Sequence, residues 1–291
     1  MVTLEGKAIV VTGAGRGLGR AYSVAAAAVG AAVVVNDIDV EPAEAVAAEI
    51  VAAGGRAVVE PGDVASAKVG VAAVDRCVDE FGAIDGLVNN AGFGMIDAHP
   101  PGEEDEDHLR RVFDVNVLGT AFCASQAIKH MVRQGRGSIV NVASGAISGT
   151  QQLASYSASK AAVASMALSW ALDLQGSGVR VNALAPMSIT RNWNWDLIPD
   201  RSALPPAERL VPEANAGVVV YLLSDQAAAI HGQIVSIRGG KLALLTHPAA
   251  VEPVLDSTFW TADDVAAAFD GPLAGRSLPL GMVRVNLEVA D

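Results

Sequence analysis

The stretch Thr12-Gly13-Ala14-Gly15-Arg16-Gly17-Leu18-Gly19 decides how this chain is read. A short β-branched run, Ala8–Val11, precedes it. An alanine-rich helical pattern follows to Val29, and then a second apolar run, Ala32–Asn36. Gly13, Gly17 and Gly19 therefore stand between a strand and a helix. Glycine there lets the backbone turn tightly and approach a pyrophosphate, which the helix N-terminus attracts. A glycine cluster alone also serves a plain tight turn. Asp37, 18 residues after Gly19 and at the end of the second run, strengthens the phosphate reading, because a carboxylate there accepts hydrogen bonds from ribose hydroxyls.

Outward from the loop, strand and helix patterns alternate. Glu41–Ala53 reads as a helix stopped by Gly54-Gly55. Arg56–Glu60 reads as strand, Ala65–Phe81 as helix, and Ile84–Val88 as a strand running into Asn89-Asn90-Ala91-Gly92. Next come a long helix over Glu103–Met131, a strand over Ser138–Ala143, a helix over Ser155–Gln175 and a strand over Val179–Leu184. Helix Glu213–Leu223 and strand Gln233–Ile237 complete the series. Short apolar strands without polar alternation are buried on both faces, and interleaved helices make the sheet parallel. The expected fold is α/β: a single Rossmann-type, doubly wound, parallel seven-stranded sheet over residues 1–240. Residues 241–291 form a C-terminal extension, packed on the same domain or on a neighbouring subunit. Met187–Pro212 breaks the alternation and reads as a substrate lid. In the extension, Thr261–Phe269 reads as a helix with Thr261 as N-cap and Asp263 and Asp264 in its first turn.

Composition narrows the function classes. The chain has 291 residues, 51% of them hydrophobic and 18% charged, with mean hydropathy +0.36, so it carries enough apolar surface for a sizeable core. Its net charge of −12 gives no electrostatic reason to bind nucleic acid or an anionic membrane. No apolar run reaches the roughly 18 residues of a membrane span, and Met1–Lys7 lacks a signal core. Cys77 and Cys123 have neither metal nor redox spacing and read as buried reduced thiols. The expected location is cytoplasmic.

Two residues pull in opposite directions on the cofactor. Asp37 repels a ribose 2′-phosphate, whereas Arg16, inside the glycine loop, attracts one or is simply solvated. A carboxylate within about 4 Å of a dianionic phosphate outweighs a flexible arginine, so NAD is the expected cofactor.

With these motifs the sequence resembles the short-chain dehydrogenase/reductase family from about Gly6 to Gly240. Thr12–Gly19 matches its TGxxxGxG loop, Asp63-Val64 its adenine-facing pair, and Asn89–Gly92 its NNAG segment. Asn116, Ser144, Tyr156 and Lys160 match its catalytic tetrad. The resemblance implies cofactor contacts from Gly13, Arg16, Gly17, Leu18, Gly19, Asp37, Ile38, Asp63, Val64, Asn90, Ala91, Gly92, Tyr156, Lys160, Pro186, Ile189 and Thr190. It also implies that Lys160 holds the nicotinamide ribose and that Asn116 positions a relay water.

The four residues carry chemistry of their own. Tyr156 and Lys160 are four apart on a helical pattern and share a face. A neighbouring ammonium favours the phenolate, so the Tyr156 pKa is expected to fall from about 10, making it a general acid/base. Ser144 follows a strand and can hydrogen-bond the reacting oxygen. Ser144 and Tyr156 are twelve apart, one fewer than the commonest family spacing, which leaves Ser148 as a minor rival. Taken singly, each of these residues has an ordinary structural role.

Ala185-Pro186-Met187-Ser188-Ile189-Thr190-Arg191 resembles the variant of that segment in the (3R)-hydroxyacyl-CoA dehydrogenase unit of multifunctional enzyme type 2. Gly17–Tyr22, Val33–Asp37 and, loosely, the tail lean the same way. The expected activity is therefore NAD(H)-dependent interconversion of a secondary alcohol and a ketone, on a 3-hydroxyacyl-CoA or hydroxysteroid-like substrate. A 3-oxoacyl carrier-protein reductase, a small polyol dehydrogenase and a non-catalytic NAD-binding sensor are the alternatives. Ser144 and Tyr156 face the substrate. Trp193 and Trp195 either line its pocket or anchor the loop, and Arg191 meets a coenzyme A phosphate or pairs locally. His99 and His108 lie in and near the acidic run Glu103–Asp107, but no ligand spacing connects them, so no metal is expected. The family implies a homotetramer or homodimer through the helices bearing Asn116 and Tyr156.

Overall fold

Strand β1 (Ala8–Thr12) shows why the sheet is buried twice. Ile9 and Val11 enter one apolar cluster, and Ala8 and Val10 enter another on the opposite face. β2 (Ala32–Asp37) divides in the same way, with Val33 and Val35 on one side and Val34 on the other. Alternate side chains point to opposite faces, so an uninterrupted apolar strand needs helices on both. The computed structural model describes residues 1–94, 96–190, 204–250 and 252–276.

Helices α1 (Gly17–Ala28), α2 (Val40–Ala52) and α7 (Glu213–Leu223) supply the first cluster, through residues such as Tyr22, Ile50 and Val219. Helices α3 (Ala67–Phe81), α5 (Gly119–Gln134) and α6 (Ala154–Asp173) supply the second, through Val74, Met131 and Val163. Cys77 and Cys123 are free and buried on this side. Burial pushes both thiols up to about 12, so they behave as small apolar groups.

The remaining strands are β3 (Arg56–Pro61), β4 (Gly86–Asn89), β5 (Gly137–Val142), β6 (Val179–Met187), β7 (Ile234–Arg238) and β8 (Lys241–Leu245). The sheet order is β3-β2-β1-β4-β5-β6-β7-β8. β1 to β7 are parallel, and β8 runs antiparallel to β7. The strand order reverses between β1 and β4, which opens a crevice beyond their carboxyl ends.

Two expectations change. The sheet has eight strands, not seven, so the first compact unit runs to Leu245 and not to Gly240. Gly239 and Gly240, at φ +57° and +84°, make the two-residue hairpin that turns β7 into β8, a turn that demands positive φ at both positions. The single helix expected over Glu103–Met131 is broken. α4 (Glu106–Phe113) passes into a π-helical turn, Asp114–Leu118, before α5 begins.

The second unit, from Thr246, contains α8 (Ala262–Asp270). Thr261 caps it as expected, and the Thr261 N–H donates back to Asp264 Oδ2, completing a capping box. No helix among the described residues is long and apolar enough to cross a membrane.

Candidate active site

The crevice floor begins where β1 gives way to the glycine loop. Gly13 has φ +61°, and a Cβ there would stand 2.8 Å from Ala91 Cα; one on Gly19 would stand 2.1 Å from the Gly13 oxygen. Only glycine permits this contact between the loop and the end of β4. Thr12 locks the same joint: its hydroxyl accepts from the N–H groups of Asn90 and Ala91, each at 3.1 Å. Asn90 Nδ2 donates to the carbonyls of Thr12 and Gly13, both at 3.0 Å. No side chain caps the start of α1 and no acidic residue stands in its first turn, so its leading amides face the crevice as anion donors. Thr190 closes the far side, its Cγ2 standing 3.4 Å from where a Gly17 Cβ would lie.

Asp37 ends β2 and is buried. Its two oxygens accept from Gly15 N at 2.8 Å and Asp39 N at 3.0 Å, and a carboxylate retains lone pairs for further donors. Arg16 is ion-paired with Asp39. Asp63 accepts from Ala65 N and pairs with Arg111 at 2.7 Å. Val64 is buried against Gly119, and Ile38 is exposed. Pro186 lies in β6 beside Ile237 of β7, and Ile189 N donates to Leu210 O at 2.8 Å.

The other wall belongs to α6 and the π-helical turn. Asn116 is fully buried. Its Oδ1 accepts from Phe93 N at 2.8 Å; its Nδ2 donates to Phe93 O at 3.0 Å and to Ser159 Oγ at 2.9 Å. Ser159 Oγ in turn donates to Tyr156 O at 2.8 Å. Lys160 donates to Val142 O at 2.8 Å, and its ammonium lies 5.9 Å from the Tyr156 ring centre. Gly92 abuts both partners: a Cβ there would stand 3.2 Å from Lys160 Nζ and 3.7 Å from Asn116 Oδ1. Ser144 follows β5 and accepts from Ala146 N at 3.1 Å. It stands close enough to Tyr156 to act on that phenol's pKa, whereas Ser148 is exposed.

Protonation departs from the sequence reading. Burial raises the Tyr156 pKa, and nearby Ser144 offsets only part of that rise. The expected fall is absent because desolvation of the buried phenol outweighs what favours its ionised form. Burial lowers the Lys160 pKa to about 8, so its own charge is weakly held.

A glycine loop, the buried Asp37 carboxylate at the end of β2 and a cluster of Asn116, Ser144, Tyr156 and Lys160 across one crevice coincide with a sequence match. The family profile described as short chain dehydrogenase matches residues 7–201. The chain belongs to the short-chain dehydrogenase family. It is an oxidoreductase of alcohol or ketone groups and uses a nicotinamide dinucleotide. An L-rhamnose 1-dehydrogenase (NAD(P)(+)) of Sphingomonas sp. is 38% identical over 250 residues, covering 82% of this chain and 98% of that one. A cis-4-hydroxycyclohexanecarboxylate dehydrogenase of Sinomonas cyclohexanicum is 39% identical over 242 residues, covering 81% and 96%. The crystal structure of a short chain dehydrogenase from Mycobacterium avium superposes with TM-score 0.83 at 30% identity, covering 96% and 98%.

Within this dehydrogenase, Ser159 and Arg111 join the site without belonging to any motif, and Thr12, the first residue of the glycine-loop motif, locks that loop to the end of β4. Ser159 carries a legible signal, since it is three residues past Tyr156 on the same helix; Arg111 carries none. The fold also brings together His99 and His108, which no ligand spacing connects, with Glu104 beside them. Arg191, Trp193 and Trp195, the candidate substrate residues of the lid, lie outside the described residues.

Proposed function

We propose that the chain is an NAD(H)-linked dehydrogenase that interconverts a secondary alcohol and a ketone, with Tyr156 as general acid/base. The observation that carries this reading is the buried Tyr156, with Lys160 one helical turn behind it and its ammonium 5.9 Å from the ring centre. When bound, the nicotinamide supplies or accepts the hydride. Tyr156 gives its hydroxyl proton to the ketone oxygen in reduction and takes it back in oxidation. Ser144 donates to the same oxygen as charge gathers on it. Lys160, when protonated, stabilises the phenolate and binds ribose hydroxyls. Asn116, held by Phe93 and Ser159, positions a water that exchanges protons with Lys160.

Asp37 and the Arg16–Asp39 pair favour NAD. Two carboxylates flank the ribose position, and the arginine is already engaged by one of them. The pair is half exposed and worth little as stability; its effect is to direct Arg16 away from a 2′-phosphate.

A secondary alcohol on a ring is the favoured substrate class, supported by the relatives named for rhamnose and for a hydroxycyclohexane carboxylate. A 3-hydroxyacyl-CoA substrate rests on the 185–191 segment and the tail, and draws no support from these relatives. Leu109, Leu118 and Leu172 are exposed on and beside α4 to α6, which supports self-association through those helices. The test is NADH absorbance over sugar, cyclic, steroid and acyl-CoA alcohols with wild type and Tyr156→Phe. Turnover on at least one class, lost in the variant while NAD still binds, is the expected result. Equal turnover by both proteins defeats the mechanism.

A further inference from the structure

Beside the reaction centre, the loop after β4 and the start of α4 converge on three side chains bearing lone pairs. His99, Glu104 and His108 each present one ligand atom, and these atoms lie within 4.8 Å of one another. The two imidazole rings stand 4.5 Å apart, tilted by 53°. Nε2 of His99 and Nε2 of His108 are both sealed from solvent and have no hydrogen-bond partner among the described residues. Glu104 Oε1 comes within 3.4 Å of His108 Nε2 without making a hydrogen bond. Buried polar atoms are almost always partnered, so two orphan nitrogens beside one carboxylate call for an occupant.

We propose that His99, Glu104 and His108 form a binding site for a divalent transition-metal ion, with zinc the best fit. Two imidazoles and one carboxylate are a nitrogen-rich donor set that suits zinc and its neighbours; magnesium and calcium take oxygen ligands. Three protein ligands leave a fourth position for water or another small ligand. Asp97 Oδ2 lies 4.0 Å from His108 Nδ1. A carboxylate on that side draws the ring proton to Nδ1 and leaves the Nε2 lone pair towards the site. Tetrahedral zinc spaces its ligand atoms roughly 3.3 Å apart, so the three side chains close inward when the ion enters.

The site is joined to the reaction centre by two hydrogen bonds. Glu104 accepts from Ser155, the residue before Tyr156, and His99 N donates to Gln152 O at 2.9 Å. A bound ion therefore clamps the loop after β4 onto the start of α6. It does not touch the reacting atoms, and its role is to position that wall.

The experiment uses the full chain, stripped with chelator and titrated with zinc by calorimetry and with cobalt(II) by visible absorbance. Expected are one saturable equivalent per chain, visible bands of a low-coordinate cobalt site, and a thermal midpoint that rises with zinc. His99→Gln and His108→Gln, each shown by circular dichroism to be folded, should weaken zinc at least tenfold and abolish the rise. Magnesium should produce neither effect. No saturable zinc binding by wild type, or equal binding by the folded His99→Gln/His108→Gln double variant, overturns the proposal. So does an equal response to magnesium.

Discussion

The two walls of the crevice are built by opposite means. The glycine-loop wall is made from missing atoms: Gly13 and Gly19 let backbone meet backbone, and Thr12 and Asn90 rivet the contact. The α6 wall is made from present ones: Asn116, Ser159, Tyr156 and Lys160 are buried polar groups, each needing its partner. The first wall is intolerant of volume and the second of lost hydrogen bonds or charge. In the proposed mechanism the first binds by shape and the second performs chemistry, so damage to each should be separable.

The largest expected effect tests that separation. Tyr156→Phe should lower kcat by about 10² to 10⁴-fold, the usual worth of a general acid/base, and leave the Kd for NAD within about twofold by fluorescence titration. A large loss of NAD affinity would merge the two walls. Gly19→Ala should do the reverse kind of harm. A Cβ 2.1 Å from the Gly13 oxygen forces backbone to move, so stability should fall by about 1–3 kcal/mol with cofactor affinity falling alongside it; denaturant melts and titration read both.

Lys160 supplies a pH test of the second wall. Its folded pKa of about 8 lies below the ordinary lysine value, so between about pH 8 and 10.5 the unfolded chain binds more protons than the folded one. Stability of the cofactor-free protein from this group therefore rises with pH. Between pH 7 and 9.5 the gain should be about 2 kcal/mol relative to Lys160→Met, measured by denaturant melts. Tyr156, whose pKa is raised, stays neutral across that window. Parallel pH profiles for the two proteins would show that Lys160 is not desolvated.

The smallest effect sharpens the first wall. Asp37→Ala should shift the NAD to NADP ratio of kcat/KM by about tenfold, or about 1.4 kcal/mol, by removing one of two carboxylates. An unchanged ratio would move the preference onto Asp39.

The alternating elements were legible because apolar strands buried on both faces leave a plain signature, and Tyr156 and Lys160 because four residues is one helical turn. β8 was equally legible, since Gly239-Gly240 lies between two apolar runs; it was assigned to the tail. The break at Asn116 was not legible. A π-helical turn inserts one residue into a helix without changing its apolar character, so Glu103–Met131 read as continuous.

Local pattern thus settled the sheet, the glycine loop and the pairing of Tyr156 with Lys160, because these depend on neighbours within a few residues. Folding alone decided the rest. The direction of the Tyr156 shift follows from how much protein surrounds the phenol. The joining of Asn116 to Ser159, and of His99 to the Glu104–His108 pair, depends on where chain segments return in space, which no spacing along the sequence encodes.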